Sequence, residues 1–211
     1  MSKRAVIFDV DGVMLDSEPF FAEGRTAVSA RYGLRELKGN ISGSGMNAYW
    51  ESLLVFNGKS KSEAQKLSDE TFDYCLNRIT GTHLRETAGL THLLEAIKDK
   101  YILAVGSSSV RRYIDFVLDY LGVKKYFSVI VCGDEAKRAK PYPDIYLETL
   151  RKLDLPADEC FVIEDSDNGM TAAVEAGIDC LGLKLSGSAQ TPDKCVAVFG
   201  SIDELEQYLM R

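Results

Sequence analysis

The sequence predicts an α/β fold, in which a doubly wound, Rossmann-like parallel sheet carries an inserted α-helical domain. Short apolar runs recur along most of the 211-residue chain, and amphipathic helical patterns lie between them. A long segment near the N-terminus contains helical patterns but no convincing strand. Strands that alternate with helices are typical of a parallel sheet that is covered on both faces.

The predicted strands are continuously apolar or nearly so, as expected for strands that are buried on both faces of a sheet. They are 4–8, 101–106, 127–132, 160–164 and 179–185. Parallel strands need a crossover connection, so we expect a helix between successive strands.

The helices between these strands are predicted from apolar residues at helical spacing. Such patterns cover 90–97, 114–121, 145–150, about 170–177 and 202–209. Gly122 and Gly177 lie where a glycine that ends a helix belongs. Ser201 and Glu204 have the spacing of a capping box at the start of the last helix.

Residues 17–87 interrupt the alternation of strands and helices. Their helical patterns cover roughly 18–32, 45–57 and 60–80. We therefore predict two domains. Residues 1–16 and 88–211 form the Rossmann-like core, and residues 17–87 form a helical domain inserted after the first strand.

Composition and charge exclude several classes of protein. The net charge is −7 and no basic run stands out, so we do not expect nucleic-acid binding. No apolar run reaches the length of about 20 residues that spans a bilayer, and the apolar run after Arg4 is too short for a signal peptide. We expect a cytoplasmic protein without membrane association, and a monomer by default.

The cysteines and histidines offer little for soft-metal or triad chemistry. The five cysteines lack CxxC spacing, and we interpret them as buried, reduced thiols. With only two histidines, we expect neither a zinc site nor a Ser-His-Asp triad.

Polar side chains follow the predicted strands at the edge where ligands gather in a doubly wound sheet. They are Asp9 and Asp11 after the first strand, Ser107 and Ser108 after the second, Lys140 before the helix near 145, and Glu164 and Asp165 after the fourth strand. Carboxylates that share a site push each other toward protonation, and a hard divalent cation relieves this repulsion. Because Mg²⁺ prefers oxygen ligands, the sequence predicts Mg²⁺ at this edge.

The same groups suit phosphoryl transfer. A carboxylate can attack phosphorus and form an aspartyl-phosphate, while the metal and Lys140 would neutralise the oxygens of the transferred group. Ser107, with backbone N–H groups of a helix predicted from about Ser109, would hold a phosphate oxygen. Asp11 could protonate the leaving oxygen and then take a proton from water.

Four segments resemble the motifs of the haloacid dehalogenase superfamily, in its β-phosphoglucomutase-like and phosphosugar-phosphatase branch. They are 8–13 with 16–18, the Ser107 segment, 140–146 and 163–166. The resemblance covers essentially the whole chain, because residues 17–87 resemble the helical cap of that branch. We therefore call residues 17–87 the cap.

The resemblance implies roles for individual residues. Asp9 would be the nucleophile and Asp11 the acid and base, and Ser107 and Lys140 would hold the phosphate. Mg²⁺ would be bound by Asp9, by the main-chain carbonyl of Asp11 and by Asp165. Glu164 would be a nearby or direct ligand of the metal.

Residues that match or depart from the family patterns favour some of the family's activities over others. Asp11 favours phosphoryl transfer, because true dehalogenases lack this second aspartate. Phosphonate-cleaving members use a cap lysine, and Lys38 lies near the expected region, but nothing in the sequence marks it as buried or activated, so this activity is disfavoured. β-Phosphoglucomutase-like members carry an arginine shortly after a Lys-Gly pair, but residues 40–45 after Lys38-Gly39 contain none. They also carry a histidine where this chain has Phe20-Phe21.

We therefore predict a Mg²⁺-dependent phosphatase that hydrolyses a small phosphomonoester, a sugar or polyol phosphate. The alternative enzyme is a β-phosphoglucomutase-like phosphosugar mutase. The non-enzyme alternative, a module that binds a phosphorylated ligand, is disfavoured because every motif residue is retained. In the cap, Tyr49 and Trp50 are candidates for stacking on a sugar, although packing is the more common role of such aromatics.

Overall fold

The computed structural model describes residues 2–35, 45–82, 84–184 and 192–211. These residues form a six-stranded parallel sheet with the strand order β3-β2-β1-β4-β5-β6. The strands are β1 (Ala5–Phe8), β2 (Ile102–Gly106), β3 (Val129–Val131), β4 (Cys160–Glu164), β5 (Asp179–Leu183) and β6 (Ala197–Phe199). The predicted doubly wound α/β fold is confirmed, and its switch point lies between β1 and β4, where the strand order reverses.

Helices flank the sheet and build the segment after β1. They are α1 (Glu18–Arg31), α2 (Met46–Phe56), α3 (Ala64–Thr82), α4 (Leu90–Ile97), α5 (Arg111–Tyr120), α6 (Asp144–Leu153), α7 (Asp167–Glu175) and α8 (Ile202–Leu209). Gly122 and Gly177 have φ angles of 70° and 75°, as the prediction of helix ends requires. None of the helices in the described ranges is long and apolar enough to cross a bilayer.

Strand β1 shows why the sheet is covered on both faces. Val6 and Phe8 point into a core shared with α4, α5 and α8, whereas Ala5 and Ile7 point into a second core with α6 and α7. All four side chains are fully buried. Each large apolar side chain buried in this way contributes about 1.5–3 kcal/mol, so this short strand is fixed from both sides.

Three details of the predicted elements differ from the structure. Strand β6 was not predicted, although residues 195–199 form a short apolar run, and its three residues are half-buried or exposed at the sheet edge. Helix α5 begins at Arg111 rather than near Ser109, with Val110 as its extended N-cap. Ser201 accepts the predicted bond from the backbone N–H of Glu204, but the Glu204 carboxylate accepts from Gly200 instead of Ser201.

The cap helices α1, α2 and α3 enclose an apolar cluster of their own. It includes Trp50, Leu53 and Leu67, which are fully buried. Other cap side chains join the core, since the Phe72 ring lies 5.4 Å from that of Tyr113 in α5. A separate cluster agrees with an inserted domain, and the boundaries at residues 16/17 and 87/88 stay a prediction. Lys38, Gly39 and residues 40–44 lie outside the described residues.

The described structure contains the five cysteines as free thiols, four of them buried. Cys195 is half-buried, and its Sγ lies 3.7 Å from that of Cys180 on β5. The prediction of buried thiols therefore holds for all but Cys195.

Candidate active site

The ends of β1 and β4 bring the first predicted site residues together. The Asp9 N–H donates to the carbonyl of Ile163 (3.0 Å), so the pairing of the two strands continues one residue beyond β1. Asp165 directly follows β4. A single cavity at this edge of the sheet is lined by the predicted residues Asp9, Asp11, Ser107, Ser108, Lys140 and Asp165. Glu164, the remaining predicted residue, is fully buried and hydrogen-bonded to Lys140.

Lys140 is buried at the centre of this group, with a relative exposure of 2%. Its ammonium group donates to Asp9 Oδ1 at 2.7 Å, Glu164 Oε1 at 2.5 Å and the carbonyl of Gly106 at 3.1 Å. Burial alone would lower the pKa of Lys140, but the two carboxylates hold it above its usual value. Lys140 is therefore charged, and all of its N–H donors have protein acceptors.

Glu164 is held by donors on both oxygens of its carboxylate. Oε1 also accepts from the Tyr146 hydroxyl at 2.6 Å, in addition to Lys140. Oε2 accepts from the N–H of Asp165 (3.2 Å) and from both the N–H and the hydroxyl of Ser166 (3.3 and 3.1 Å). Gly169 lets the first turn of α7 approach this carboxylate, because a Cβ there would lie 1.9 Å from Oε1.

Burial and neighbouring carboxylates disfavour the ionised forms of Asp9 and Asp165. Burial raises the pKa of Asp9 to about 7, with Glu164 and Asp11 adding to the increase and Lys140 opposing it. Burial, then Glu164 and Asp9, raise the pKa of Asp165 to about 9. A further positive charge in the site would therefore favour the ionised forms of both carboxylates.

The donor set fits a hard divalent cation. Asp9, Glu164 and Asp165 each offer a carboxylate oxygen, and these oxygens lie within 4.8 Å of one another. Carboxylate oxygens are the ligands that Mg²⁺ prefers. Gly12 keeps this space open, because it has a φ of +87° and a Cβ there would lie 2.1 Å from Asp165 Oδ2.

Asp11 is oriented by three hydroxyl groups. Its Oδ1 accepts from Ser17 at 2.6 Å and from Tyr113 at 2.9 Å, and its Oδ2 accepts from Ser109 at 2.7 Å. Burial and the Asp11 charge raise the pKa of Tyr113 well above its usual value, so its hydroxyl stays a donor at neutral pH. The sequence reasoning missed these three partners, although Ser17 lies in the first motif segment.

The loop after β2 differs in part from the prediction. Ser107 and Ser108 line the cavity as expected. The N–H of Ser109 donates to the Ser107 hydroxyl at 3.1 Å. Helix α5 begins two residues later than Ser109, so this N–H lies before the helix, and the role of Ser107 and the neighbouring N–H groups in holding a phosphate stays a prediction.

The cap lines the other side of the cavity with side chains of which the sequence analysis considered only Tyr49 for contact with a substrate. They are Glu18, Phe21 and Arg25 from α1, Met46 and Tyr49 from α2, and Phe72 from α3. Trp50 points away from the cavity, because it is fully buried and donates from Nε1 to Thr71 at 3.1 Å. Of the two aromatics considered for sugar stacking, Trp50 is thus a packing residue and Tyr49 a cavity residue.

Comparison with protein families agrees with this geometry. Residues 6–183 match the family model described as haloacid dehalogenase-like hydrolase. The chain belongs to the haloacid dehalogenase-like hydrolase family. The matched range extends from β1 through β5 and contains every predicted site residue of this hydrolase.

Individual relatives of this haloacid dehalogenase-like hydrolase carry phosphatase and mutase names. It is 34% identical over 184 residues to the phosphorylated carbohydrates phosphatase of Thermotoga maritima, an alignment that covers 83% of this chain and 82% of the relative. It is 26% identical over 190 residues to the β-phosphoglucomutase of Bacillus subtilis, covering 85% and 83%. The fold matches the crystal structure of CbbY from Rhodobacter sphaeroides in complex with phosphate, with a TM-score of 0.86, 22% identity and 96% of each chain covered.

Proposed function

We propose that this hydrolase is a Mg²⁺-dependent phosphatase of small sugar or polyol phosphates and that it works through an aspartyl-phosphate on Asp9. The observation that carries the proposal is the grouping of Asp9, Lys140 and Asp165 in one cavity that Asp11 also lines. The phosphorylated carbohydrates phosphatase of Thermotoga maritima supports the sugar assignment. Membership of a hydrolase family favours catalysis over a non-catalytic binding module.

Asp9 is suited to nucleophilic attack because Lys140 fixes one of its oxygens. With Oδ1 bonded to the ammonium group, Oδ2 can attack phosphorus, so that an oxygen–phosphorus bond forms as the bond to the leaving oxygen breaks. Mg²⁺ held by Asp9 and Asp165 would supply positive charge to the oxygens of the transferred group. Lys140 adds its own positive charge through its bond to Asp9 Oδ1.

Asp11 performs the proton transfers in this proposal. The three hydroxyls that bond to Asp11 hold its carboxyl group in one orientation. It gives a proton to the leaving oxygen and takes one from the water that attacks the aspartyl-phosphate. Inorganic phosphate leaves, and Asp9 returns to its starting state.

Hydrolysis of phenyl phosphate with and without Mg²⁺ tests the proposal. We expect turnover that depends on Mg²⁺ and falls by at least about a thousandfold in Asp9→Asn. Asp154→Asn is the matched control, since Asp154 lies exposed after α6 and outside the cavity. Full activity of Asp9→Asn, or equal activity in the presence of a chelator, would contradict the mechanism.

A phosphosugar mutase is the second candidate, favoured by the relative in Bacillus subtilis. The experiment is incubation with a hexose 1-phosphate and the corresponding bisphosphate, followed by separation of the sugar phosphates. We expect release of inorganic phosphate. Isomerisation faster than phosphate release would establish the mutase instead.

A further inference from the structure

The cap side of the cavity carries a half-buried arginine that the proposed chemistry does not use. The side chain of Arg25 is only 14% exposed, although it lines the cavity. Its guanidinium lies over the ring of Tyr49, 5.5 Å from the ring centroid. Arg25 Nη2 donates to Glu18 Oε1 at 2.5 Å. Both charged side chains therefore lie on the same face of helix α1.

Arg25 is positioned to bind a ligand rather than to support the fold. Glu18 is the acceptor that the described residues give it, so most N–H donors of the guanidinium remain for a ligand. Lys140 is the other cation among the lining residues. Its N–H donors already form hydrogen bonds with Asp9, Glu164 and Gly106. Among the described residues that line the cavity, Arg25 is therefore the cation that can donate new hydrogen bonds.

Glu18 determines which kind of group Arg25 can receive. The carboxylate of Glu18 neutralises the guanidinium, and it faces a cavity that already holds Asp9, Asp11 and Asp165. A second anionic group on the substrate would meet these negative charges. A hydroxyl group is different, because it can accept a bond from Arg25 and donate one to Glu18.

We propose that Arg25 and Glu18 form a hydroxyl-binding pair that selects a neutral, polyhydroxylated leaving group. The inference rests on the proposed phosphatase function and deepens it, since it favours sugar or polyol monophosphates over bisphosphates and phosphorylated acids. Tyr49 keeps the guanidinium in place, while Glu18, whose side chain is 59% exposed, can reorient toward the substrate.

Steady-state kinetics with three probes tests this pair. They are the best hexose or pentitol monophosphate of a substrate panel, phosphoglycolate as an anionic leaving group, and phenyl phosphate as one without hydroxyls. We expect Arg25→Met to lower kcat/KM for the sugar or polyol monophosphate by about 10- to 100-fold, because a charged hydrogen bond is lost. Phenyl phosphate should change by less than about threefold, since it makes no such bond.

The direction in which Glu18→Gln changes kcat/KM distinguishes a site for hydroxyl groups from a site for anions. We expect it to lower kcat/KM for the sugar or polyol monophosphate, because a strong acceptor becomes a weaker one. If Glu18→Gln instead raised kcat/KM for phosphoglycolate above its kcat/KM for the sugar or polyol monophosphate, Arg25 would be an anion site. That result would overturn the proposal. Because Glu18 is largely exposed, this variant keeps the test valid even where Arg25→Met fails to fold.

Matched controls come from the same helix. Arg31→Met removes an arginine that pairs with Glu70, and Glu23→Gln alters a carboxylate bonded to Arg78. Neither residue lines the cavity, so both variants should retain the parent's preference. Equal losses with phenyl phosphate and with the monophosphate in Arg25→Met would assign Arg25 a structural role. Failure of the phosphatase function itself is separate, because the parent would then not hydrolyse phenyl phosphate.

Discussion

Replacing Glu164 by Gln tests whether this residue organises the site through Lys140 or binds the metal directly. The two carboxylate oxygens accept hydrogen bonds from Lys140 and Tyr146 on one side and from Asp165 and Ser166 on the other. Their lone pairs are thereby occupied. The structure thus favours Asp9 and Asp165 as the groups that hold Mg²⁺, with Glu164 as a positioning residue.

The expected cost of Glu164→Gln follows from these contacts. An amide nitrogen in place of Oε1 would face the ammonium of Lys140 and the hydroxyl of Tyr146. In place of Oε2 it would face the N–H groups of Asp165 and Ser166. Either orientation places donors against donors, and Lys140 loses one of its two carboxylates. Neutralising one partner of a buried ion pair costs about 3–5 kcal/mol, and we expect the free energy of unfolding to fall by that amount.

Urea unfolding of the metal-free protein measures this loss, and calorimetric titration with Mg²⁺ measures metal affinity. Glu175→Gln is the control, because Glu175 is exposed at the end of α7 and should change the free energy of unfolding by less than about 0.5 kcal/mol. A Glu164→Gln protein that is as stable as the parent and has lost only Mg²⁺ affinity would refute the reasoning. Glu164 would then be a metal ligand.

Three further predictions address the metal and the charges around it. Saturating Mg²⁺, at about 100 times its dissociation constant, should raise the thermal midpoint by about 5–10 °C, and Asp165→Asn should abolish this shift. Gly12→Ala should lower Mg²⁺ affinity because its Cβ would displace the Asp165 carboxylate, whereas Gly58→Ala, which has a similar φ but open space, should leave it unchanged. Lys140→Met should cost about 3–5 kcal/mol of stability in urea unfolding, because Lys140 is buried. Arg112→Met, whose arginine also pairs with two carboxylates but is 44% exposed, should cost less than about 1 kcal/mol.

The sequence was sufficient to locate one half of the site. Asp9, Ser107 and Glu164 follow apolar runs that are long enough to be recognised as buried strands, and parallel strands place their carboxyl ends at one edge. The sheet itself could be predicted because its five predicted strands are continuously apolar or nearly so. Strand β6 was missed although residues 195–199 are all apolar, because this run is short and its strand residues are half-buried or exposed.

The other half of the site depends on contacts that spacing does not reveal. Tyr113 reaches Asp11 from α5, 102 residues further along the chain, and its position follows helical spacing like any core residue. From the sequence alone, Arg25 is indistinguishable from a solvent-facing helix residue. In the structure it lines the cavity. The sequence analysis looked for an arginine after Lys38-Gly39 and found none, whereas helix α1 supplies Arg25 to the candidate active-site cavity.

The contacts of Lys140 bear on how the site would take up a phosphate. Its three N–H donors are committed to Asp9, Glu164 and Gly106. A phosphate oxygen can gain a hydrogen bond from Lys140 only by replacing one of these acceptors, and Asp9 is the one that changes during the proposed reaction. Once Asp9 carries the phosphoryl group, its oxygen is no longer ionised, and the negative charge lies on the phosphoryl oxygens. The bond from Lys140 should then move outward from the carboxylate to the phosphoryl group, while Glu164 keeps the ammonium in place.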